Sequence, residues 1–171
     1  MNESELVPLA AEVIHTLQDR GWTLALAESC TGGLVGHLLT EVPGSSSVLL
    51  LDAVTYANEA KIKVLGVRLE TLEQHGAVSE QTVREMALGA AALVNAHLAC
   101  SISGIAGPGG GSAEKPVGLV WFSMADESGC RCSEQRFDGP RRDIKLKAAR
   151  FVLDWIRRHC EQAARSEEED I

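Results

Sequence analysis

A serine stands directly before a predicted helix start in the polar segment 28–33. Backbone N–H groups in the first turn of a helix have no intrahelical acceptor, and they attract negative charge. Such donors can stabilise the oxyanion that forms when a hydroxyl attacks a carbonyl carbon. Ser29 therefore fits a nucleophile, and it equally fits a simple helix cap. The donors of the candidate oxyanion hole are Cys30, Thr31, Gly32 and Gly33.

A serine nucleophile needs a general base, and the segment 55–61 contains a lysine. No histidine lies near the predicted strand ends, which argues against a Ser-His-Asp triad. Lys61 lies in the first turn of a predicted helix, where the helix dipole lowers the pKa of an ammonium. Tyr56 is a candidate to relay a proton. The alternative is that Lys61 is a surface lysine paired with Glu59.

The glycine-rich segment 103–112 follows a predicted strand and lets backbone approach a ligand closely. It matches neither common phosphate-binding motif, so alone it is a weak phosphate signal. Arg141, at a predicted helix start, is either an anion contact or a solvated charge. Asn58 is predicted to cap the third helix and is a further substrate-contact candidate. The candidates in the glycine-rich segment are Ser103, Gly107, Gly109 and Gly110.

Apolar periodicity predicts the elements that hold these segments. Strands alternate with helices and then form a hairpin at the sheet edge, which indicates a three-layer α/β/α fold with a mixed sheet of about five strands. We expect one domain over residues 1–165 and a disordered acidic tail over 166–171. Helices are predicted over 6–21, 31–40, 58–65, 79–94 and 142–161, a turn or two over 69–75, and strands over 22–27, 48–56 (buried), 100–105, 117–124 and 132–137.

Composition limits the function classes. The 171 residues carry a formal net charge of −8 without a clustered basic surface, which disfavours a nucleic-acid partner. No apolar stretch approaches a membrane span, and the acidic N-terminus does not resemble a secretory signal. Five irregularly spaced cysteines indicate reduced thiols and a cytoplasmic protein, and no metal site is predicted because the pair Cys130 and Cys132 lacks further ligands at zinc-site spacing.

Several motifs in one order resemble the CinA C-terminal domain family. They are AESCTGG at 27–33, TYANEAK at 55–61, HGAVS at 75–79, SGIAGPGG at 103–110 and EKPVG at 114–118. The resemblance runs nearly end to end. The sequence departs from the family pattern at Pro140, where the family has Asp, and at Lys145, where it has Arg. Contacts to a phosphate are therefore expected to differ there.

The resemblance implies an activity and roles for single residues. Stand-alone members of the family are similar to nicotinamide mononucleotide (NMN) deamidases, which release ammonia and nicotinate mononucleotide in pyridine-nucleotide recycling without a metal or cofactor. By this resemblance Ser29 is the nucleophile, Lys61 the general base and Tyr56 its partner. Ser103, the glycine loop and Arg141 surround the nucleotide. The resemblance also implies a homodimer or a larger homo-oligomer, with no nucleic acid and no membrane among the partners.

Two other hypotheses remain open on the sequence. Cys30 occupies the same helix terminus and could replace Ser29 as the nucleophile. The chain could also be a catalytically silent nucleotide-binding module, because a fold can outlast the site built on it.

Overall fold

A computed structural model describes residues 1–169 of the chain, with side chains through residue 164. Its five-stranded sheet has the order β2-β1-β3-β4-β5, in which β1, β2 and β3 are parallel and the last two strands form an antiparallel hairpin. The predicted α/β fold with a mixed sheet is confirmed. The strands are Leu24–Glu28 (β1), Leu49–Val54 (β2), Leu98–Gly104 (β3), Leu119–Asp126 (β4) and Gly129–Arg136 (β5). The α-helices are Val7–Asp19 (α1), Leu34–Thr40 (α2), Asn58–Leu65 (α3), Leu69–His75 (α4), Glu80–Val94 (α5) and Arg141–Glu169 (α6).

Side-chain alternation along β1 divides the core between the two faces of the sheet. Leu24 and Leu26 pack with α1, α2 and α6, whereas Ala25 and Ala27 pack with α3, α4 and α5. The small alanines let the second layer of helices approach the sheet closely. Because the alternation continues past the strand end, consecutive residues there face different helix layers.

The predicted buried strand at 48–56 is instead the edge strand β2. Leu50 and Val54 are 43% and 47% exposed, because no further strand or helix covers them among the described residues. An apolar run cannot distinguish a central strand from an edge strand. Asp52 lies on this strand beside Gly36 of α2, and one of its carboxylate oxygens is buried without a hydrogen-bond partner.

The helix ends differ from prediction at several places. Helix α2 begins at Leu34 and not at Thr31, so residues 29–33 form a loop that precedes the helix. Asn58 is the first residue of α3 and not its cap; Ala57 holds the cap position and makes no side-chain bond. The last helix, predicted to end at 161, continues through Glu169 because Ala, Arg and Glu all favour helical backbone. The backbone of 166–169, expected to be disordered, is thus part of α6, and residues 170 and 171 lie outside the described part of the chain. Within 1–169, the structure has no helix with the length and apolarity of a bilayer span.

Helix α5 begins as predicted at a serine cap. The Ser79 hydroxyl accepts a hydrogen bond of 3.2 Å from the N–H of Thr82 and donates one of 2.9 Å to the carbonyl of Gly76. The cap fixes the position of the start of α5 relative to the loop that precedes it. This loop borders the site described below.

We predict that Ser79→Ala lowers the free energy of unfolding by about 1–2 kcal/mol, because a buried helix start loses its acceptor. Urea denaturation monitored by circular dichroism measures the change. Ser79→Thr keeps the hydroxyl and should lose less than half as much. Equal losses in the two variants would contradict the capping role.

Candidate active site

The end of β1 and the first turn of α3 bring a serine and a lysine together. The Nζ of Lys61 lies 3.1 Å from the Oγ of Ser29, and both side chains are buried. The sheet fixes this geometry: the N–H of Ser29 donates to the carbonyl of Ile102 on β3, and the N–H of Thr55 donates to the carbonyl of Glu28 on β1. The carboxyl ends of parallel strands lie at one edge of a sheet, as the sequence argument assumed.

Lys61 is held by oxygen atoms that carry no formal charge. Its side chain is 1% exposed, and Nζ donates to the carbonyl oxygens of Thr55 at 2.7 Å and Tyr56 at 3.4 Å. No carboxylate contacts Nζ within the described residues, and burial lowers the pKa of this amine. The alternative of a surface ion pair applies to another lysine, since it is Lys63 that contacts Glu59, at 2.6 Å.

The buried carboxylate of Glu28 occupies the start of α2. Its two oxygens accept hydrogen bonds from the N–H groups of Gly33 at 3.0 Å and Gly36 at 2.8 Å. Burial raises the pKa of this carboxyl, and the backbone donors act against the rise. The sequence reasoning missed this role, although a glutamate shortly before a helix start is a recognisable capping signal.

The predicted oxyanion hole is smaller than the sequence suggested. The N–H of Gly32 donates to the carbonyl of Ser29 at 3.0 Å, and the N–H of Gly33 is bound to Glu28. Neither glycine amide is available to a ligand. The N–H groups of Cys30 and Thr31 have no acceptor in the described part of the chain, and Cys30 borders the cavity beside Ser29.

The thiol of Cys30 is 5% exposed. Burial, and secondarily the negative charge of Glu28, raise its pKa to about 12. A thiol is a poor nucleophile until it ionises. The structure therefore gives Cys30 the opposite of an activated environment, although Cys30 directly follows the candidate nucleophile Ser29 in sequence.

A cavity of about 270 Å³ opens beside Ser29 and Lys61. Arg141 crosses its rim, donating from Nη1 to the carbonyl of Gly107 at 2.8 Å and from Nη2 to the hydroxyl of Tyr56 at 2.9 Å. Tyr56 thus reaches the site, but its hydroxyl binds Arg141 and only its backbone carbonyl contacts Lys61. The predicted partnership of the two side chains is not formed.

The remaining cavity wall comes partly from residues that were predicted and partly from residues that were missed. The Ser103 hydroxyl donates to the carbonyl of Ala77 at 2.7 Å, which joins β3 to the loop before α5. The exposed Asn58 does not line the cavity. The predicted residues in the wall are Ser103, Gly107, Gly109 and Gly110, and those that sequence reasoning missed are Ala77 and Val78.

A second cavity of about 440 Å³ adjoins the first through Arg141. Arg142 and Lys145, from the first turns of α6, line it beside the start of α2. The ammonium of Lys145 also lies close to Gly32, since a Cβ built there would be 3.7 Å from Nζ. Lys145 is one of the two departures from the family pattern. It keeps a positive charge next to residues 29–33, the loop that begins with Ser29 (the serine loop).

The chain is similar to known proteins over nearly its whole length. The model of the family described as CinA C-terminal domain matches residues 6–160. A nicotinamide-nucleotide amidohydrolase PncC of Escherichia coli (strain K12) is 49% identical over 157 residues, which are 91% of this chain and 95% of that protein. A protein of the same name from Enterobacter agglomerans is 50% identical over 154 residues, covering 90% and 94%. The crystal structure of a CinA superfamily protein from Klebsiella pneumoniae 700603 has a TM-score of 0.89 at 36% identity, covering 95% of this chain and 99% of that one.

Asp52 forms an acidic pair with Glu28 beneath the serine loop. Its Oδ1 is buried without a hydrogen-bond partner, and a Cβ at Gly36 would overlap its carboxylate. Burial first, and the negative charge of Glu28 second, raise the pKa of Asp52 to about 7. Near neutral pH this side chain therefore takes up a proton that an ordinary aspartate would release.

We predict that Asp52 contributes a fall in the free energy of unfolding as the pH rises from about 4 to about 7, because unfolded Asp52 loses its proton near pH 3.9 whereas the folded side chain keeps it to about 7. In Asp52→Asn the fall in the free energy of unfolding should be smaller by about 2 kcal/mol. This is less than the full pKa shift implies, because the side chain is partly exposed. Urea denaturation across this range measures it. The exposed control Asp138→Asn should leave the slope unchanged, and an unchanged slope in Asp52→Asn would contradict the assignment.

Proposed function

The chain belongs to the CinA C-terminal domain family, and from this membership we propose that it is an amidohydrolase that converts NMN and water to nicotinate mononucleotide and ammonia. The observation that carries the proposal is the buried contact of 3.1 Å between Lys61 Nζ and Ser29 Oγ. Relatives named nicotinamide-nucleotide amidohydrolase, about as long as this chain, support the substrate.

A neutral Lys61 explains the arrangement around its nitrogen. An uncharged amine has two N–H bonds and one lone pair, which match the carbonyls of Thr55 and Tyr56 and the hydroxyl of Ser29. The lone pair then accepts the hydrogen bond that the Ser29 hydroxyl donates. Burial without a counter-charge lowers the pKa of this lysine and so favours the uncharged amine.

The reaction follows from these positions. Ser29 Oγ attacks the carboxamide carbon while Lys61 Nζ takes the hydroxyl proton. Lys61 returns that proton to the amide nitrogen, the C–N bond breaks, and ammonia leaves an ester on Ser29. Water then attacks the ester carbon, Lys61 takes a proton from the water, and the collapse of the tetrahedral intermediate returns a proton to Ser29 and releases the carboxylic acid product.

The N–H groups of Cys30 and Thr31 are the donors that we assign to the developing oxyanion. Each such donor is typically worth about 3–4 kcal/mol of transition-state stabilisation. Glu28 supports them indirectly, because its bonds to the start of α2 hold the backbone of the loop in one conformation.

The rim of the cavity fits the nucleotide part of the substrate. Three positively charged side chains lie within one helical turn of each other: Arg141, Arg142 and Lys145. Two adjoining cavities connect them to Ser29. We assign the phosphate to this basic end and the nicotinamide ring to the end at Ser29. Lys145 is a point charge and cannot bind an oxyanion with two parallel N–H bonds as arginine does.

A place in pyridine-nucleotide recycling and a cytoplasmic location are part of the same proposal. The location is supported by five cysteines that are all free thiols. Residues 1–165 as one domain and a homodimer or larger homo-oligomer remain predictions.

We predict that Ser29→Ala abolishes ammonia release from NMN, because no other nucleophile among the described residues contacts Lys61, while Cys30→Ala retains activity within about threefold. A coupled glutamate dehydrogenase assay measures the ammonia, and binding of NMN by calorimetry shows that the variants keep the pocket. NMN binding without turnover in the wild type would support the silent module instead, and activity that depended on Cys30 and not on Ser29 would support the thiol mechanism.

We predict that Lys61→Met lowers kcat by about 10²–10⁴-fold, the usual contribution of a general base. The folded chain holds this amine with a lowered pKa, so the stability of the wild type should rise relative to Lys61→Met as the pH increases from 7 to 10. Assays of activity and urea unfolding at several pH values check both effects. The control is Lys63→Met on the same helix. Because the Lys63 side chain is exposed, this substitution should change neither kcat nor the pH dependence of stability. An equal loss of kcat in Lys63→Met would contradict the assignment.

A further inference from the structure

A pair of thiols lies on β5, away from the site of the proposed reaction. Cys130 and Cys132 are two residues apart on one strand, so both side chains project from the same face of the sheet, toward α5. Ser123 of β4 is the cross-strand partner of Cys132, and its Oγ lies 2.9 Å from the Sγ of Cys130. One buried hydroxyl thus lies beside both thiols. The two thiols are also within hydrogen-bonding reach of each other.

Both thiols can be reached from solvent. Cys130 and Cys132 are partly exposed, and they lie on an edge strand that no further strand covers in the described sheet. The other three cysteines are buried: Cys30, Cys100 and Cys160. An ion can therefore bind the pair on β5 without any opening of the core.

The spacing along the strand suits a bridging metal ion better than a disulfide. Residues two apart on an antiparallel strand have Cα atoms about 6.8 Å apart, the outer limit for a disulfide. A disulfide brings its two sulfurs to about 2.05 Å. A metal ion between two thiolates separates the sulfurs by up to two metal–sulfur bonds of about 2.3 Å each. A metal ion can thus join the pair while β5 keeps its pairing with β4.

The number and type of ligands select the class of metal. Within the described residues, no third His, Cys, Asp or Glu side chain joins the pair to complete a larger metal site. Structural zinc takes four ligands, and calcium and magnesium require oxygen ligands, so none of these ions fits. Soft thiolate ligands select Cu(I), for which two thiolates in line are a sufficient set of ligands.

The charge around the pair also favours a monovalent ion. Two thiolates and one Cu(I) carry a single negative charge, whereas two thiolates and a divalent ion carry none. Arg84 of α5 places a positive charge beside the pair, because its Nη1 donates to the carbonyl of Cys130 at 2.8 Å. Its Nη2 lies 2.8 Å from the carboxylate of Glu80, so this carboxylate is already paired. The guanidinium can therefore balance an anionic copper dithiolate.

We propose that Cys130 and Cys132 together form a binding site for one Cu(I) ion, which lies in line between their two sulfurs at the edge of the sheet. On binding, two S–Cu bonds form, each thiol that is still protonated loses its proton, and the ligands that delivered the ion leave it. Copper stays Cu(I), so no oxidant or reductant takes part. Neither cysteine lines the cavity at Ser29, so this site is separate from the proposed amidohydrolase reaction.

The test is the transfer of Cu(I) from its bicinchoninate complex to the full chain at pH 7 without oxygen. We expect the colour of the complex to fall until one Cu(I) is bound per chain. X-ray absorption of the loaded chain should show two sulfur ligands on the copper. Zn(II), offered in competition with a zinc-responsive dye, should not bind to the pair.

Variants locate the ion. Cys130→Ser and Cys132→Ser should each lower the affinity for Cu(I) by about a hundredfold or more, because a two-ligand site cannot lose one ligand. The control Cys160→Ala removes a buried thiol and should change neither stoichiometry nor affinity. In the wild type, bound Cu(I) should protect Cys130 and Cys132 from alkylation by iodoacetamide, and peptide mapping then places the ion even if a variant fails to fold.

Four results would overturn the proposal. They are tight Cu(I) binding that survives either serine substitution, one Cu(I) shared between two chains, alkylation of the pair at the same rate with and without the ion, and equally tight binding of Zn(II) that depends on both cysteines.

Discussion

The burial of Lys61 without a counter-charge is the interaction on which the rest of the site depends. A lysine surrounded by carbonyl oxygens and a hydroxyl loses the hydration that makes its ammonium favourable in water, and no carboxylate in the described part of the chain replaces that hydration. The fold must hold this side chain against that cost, because release to solvent would restore the charge. It does so by starting α3 immediately after β2, so that the parallel ladder of β1 and β2 positions both Thr55 and Ser29.

Glu28 and Ser29 show how one strand end serves both helix layers. Glu28 faces the layer of α2, where its carboxylate binds the start of that helix, and Ser29 faces the layer of α3 and Lys61. The carboxylate of Glu28 and the hydroxyl that contacts Lys61 are thus adjacent in sequence but lie on opposite faces of the sheet. The sheet separates them, which keeps the carboxylate from stabilising the ammonium and raising its pKa.

The sequence predicts the fold and the proximity of Ser29 and Lys61, but not the connections among the polar groups. Apolar periodicity predicts α1, α5 and the hairpin because a helix face or a strand face leaves a regular trace. The order of the strands in the sheet leaves no such trace. β2 was therefore expected to be buried, whereas it is an edge strand. Lys61 could be selected as a candidate because it follows the end of a predicted strand. The hydrogen bonds of Glu28 to the start of α2 depend on a side-chain rotamer, which the sequence does not show. The hydrogen bond of Arg141 to Tyr56 joins residues that are 85 positions apart. The comparisons establish the family for nearly the whole chain.

The alternation at the end of β1 limits how the length of the chain can change. In a strand, the loss or gain of one residue reverses the face of every side chain beyond it. A one-residue deletion between Leu24 and Glu28 would direct the carboxylate into the chamber of Lys61 and turn the hydroxyl toward α2. Substitutions within this strand can be absorbed one by one, but changes of length cannot. Variation in length should therefore be confined to the turns, where no side chain has its direction fixed by the count of residues before it.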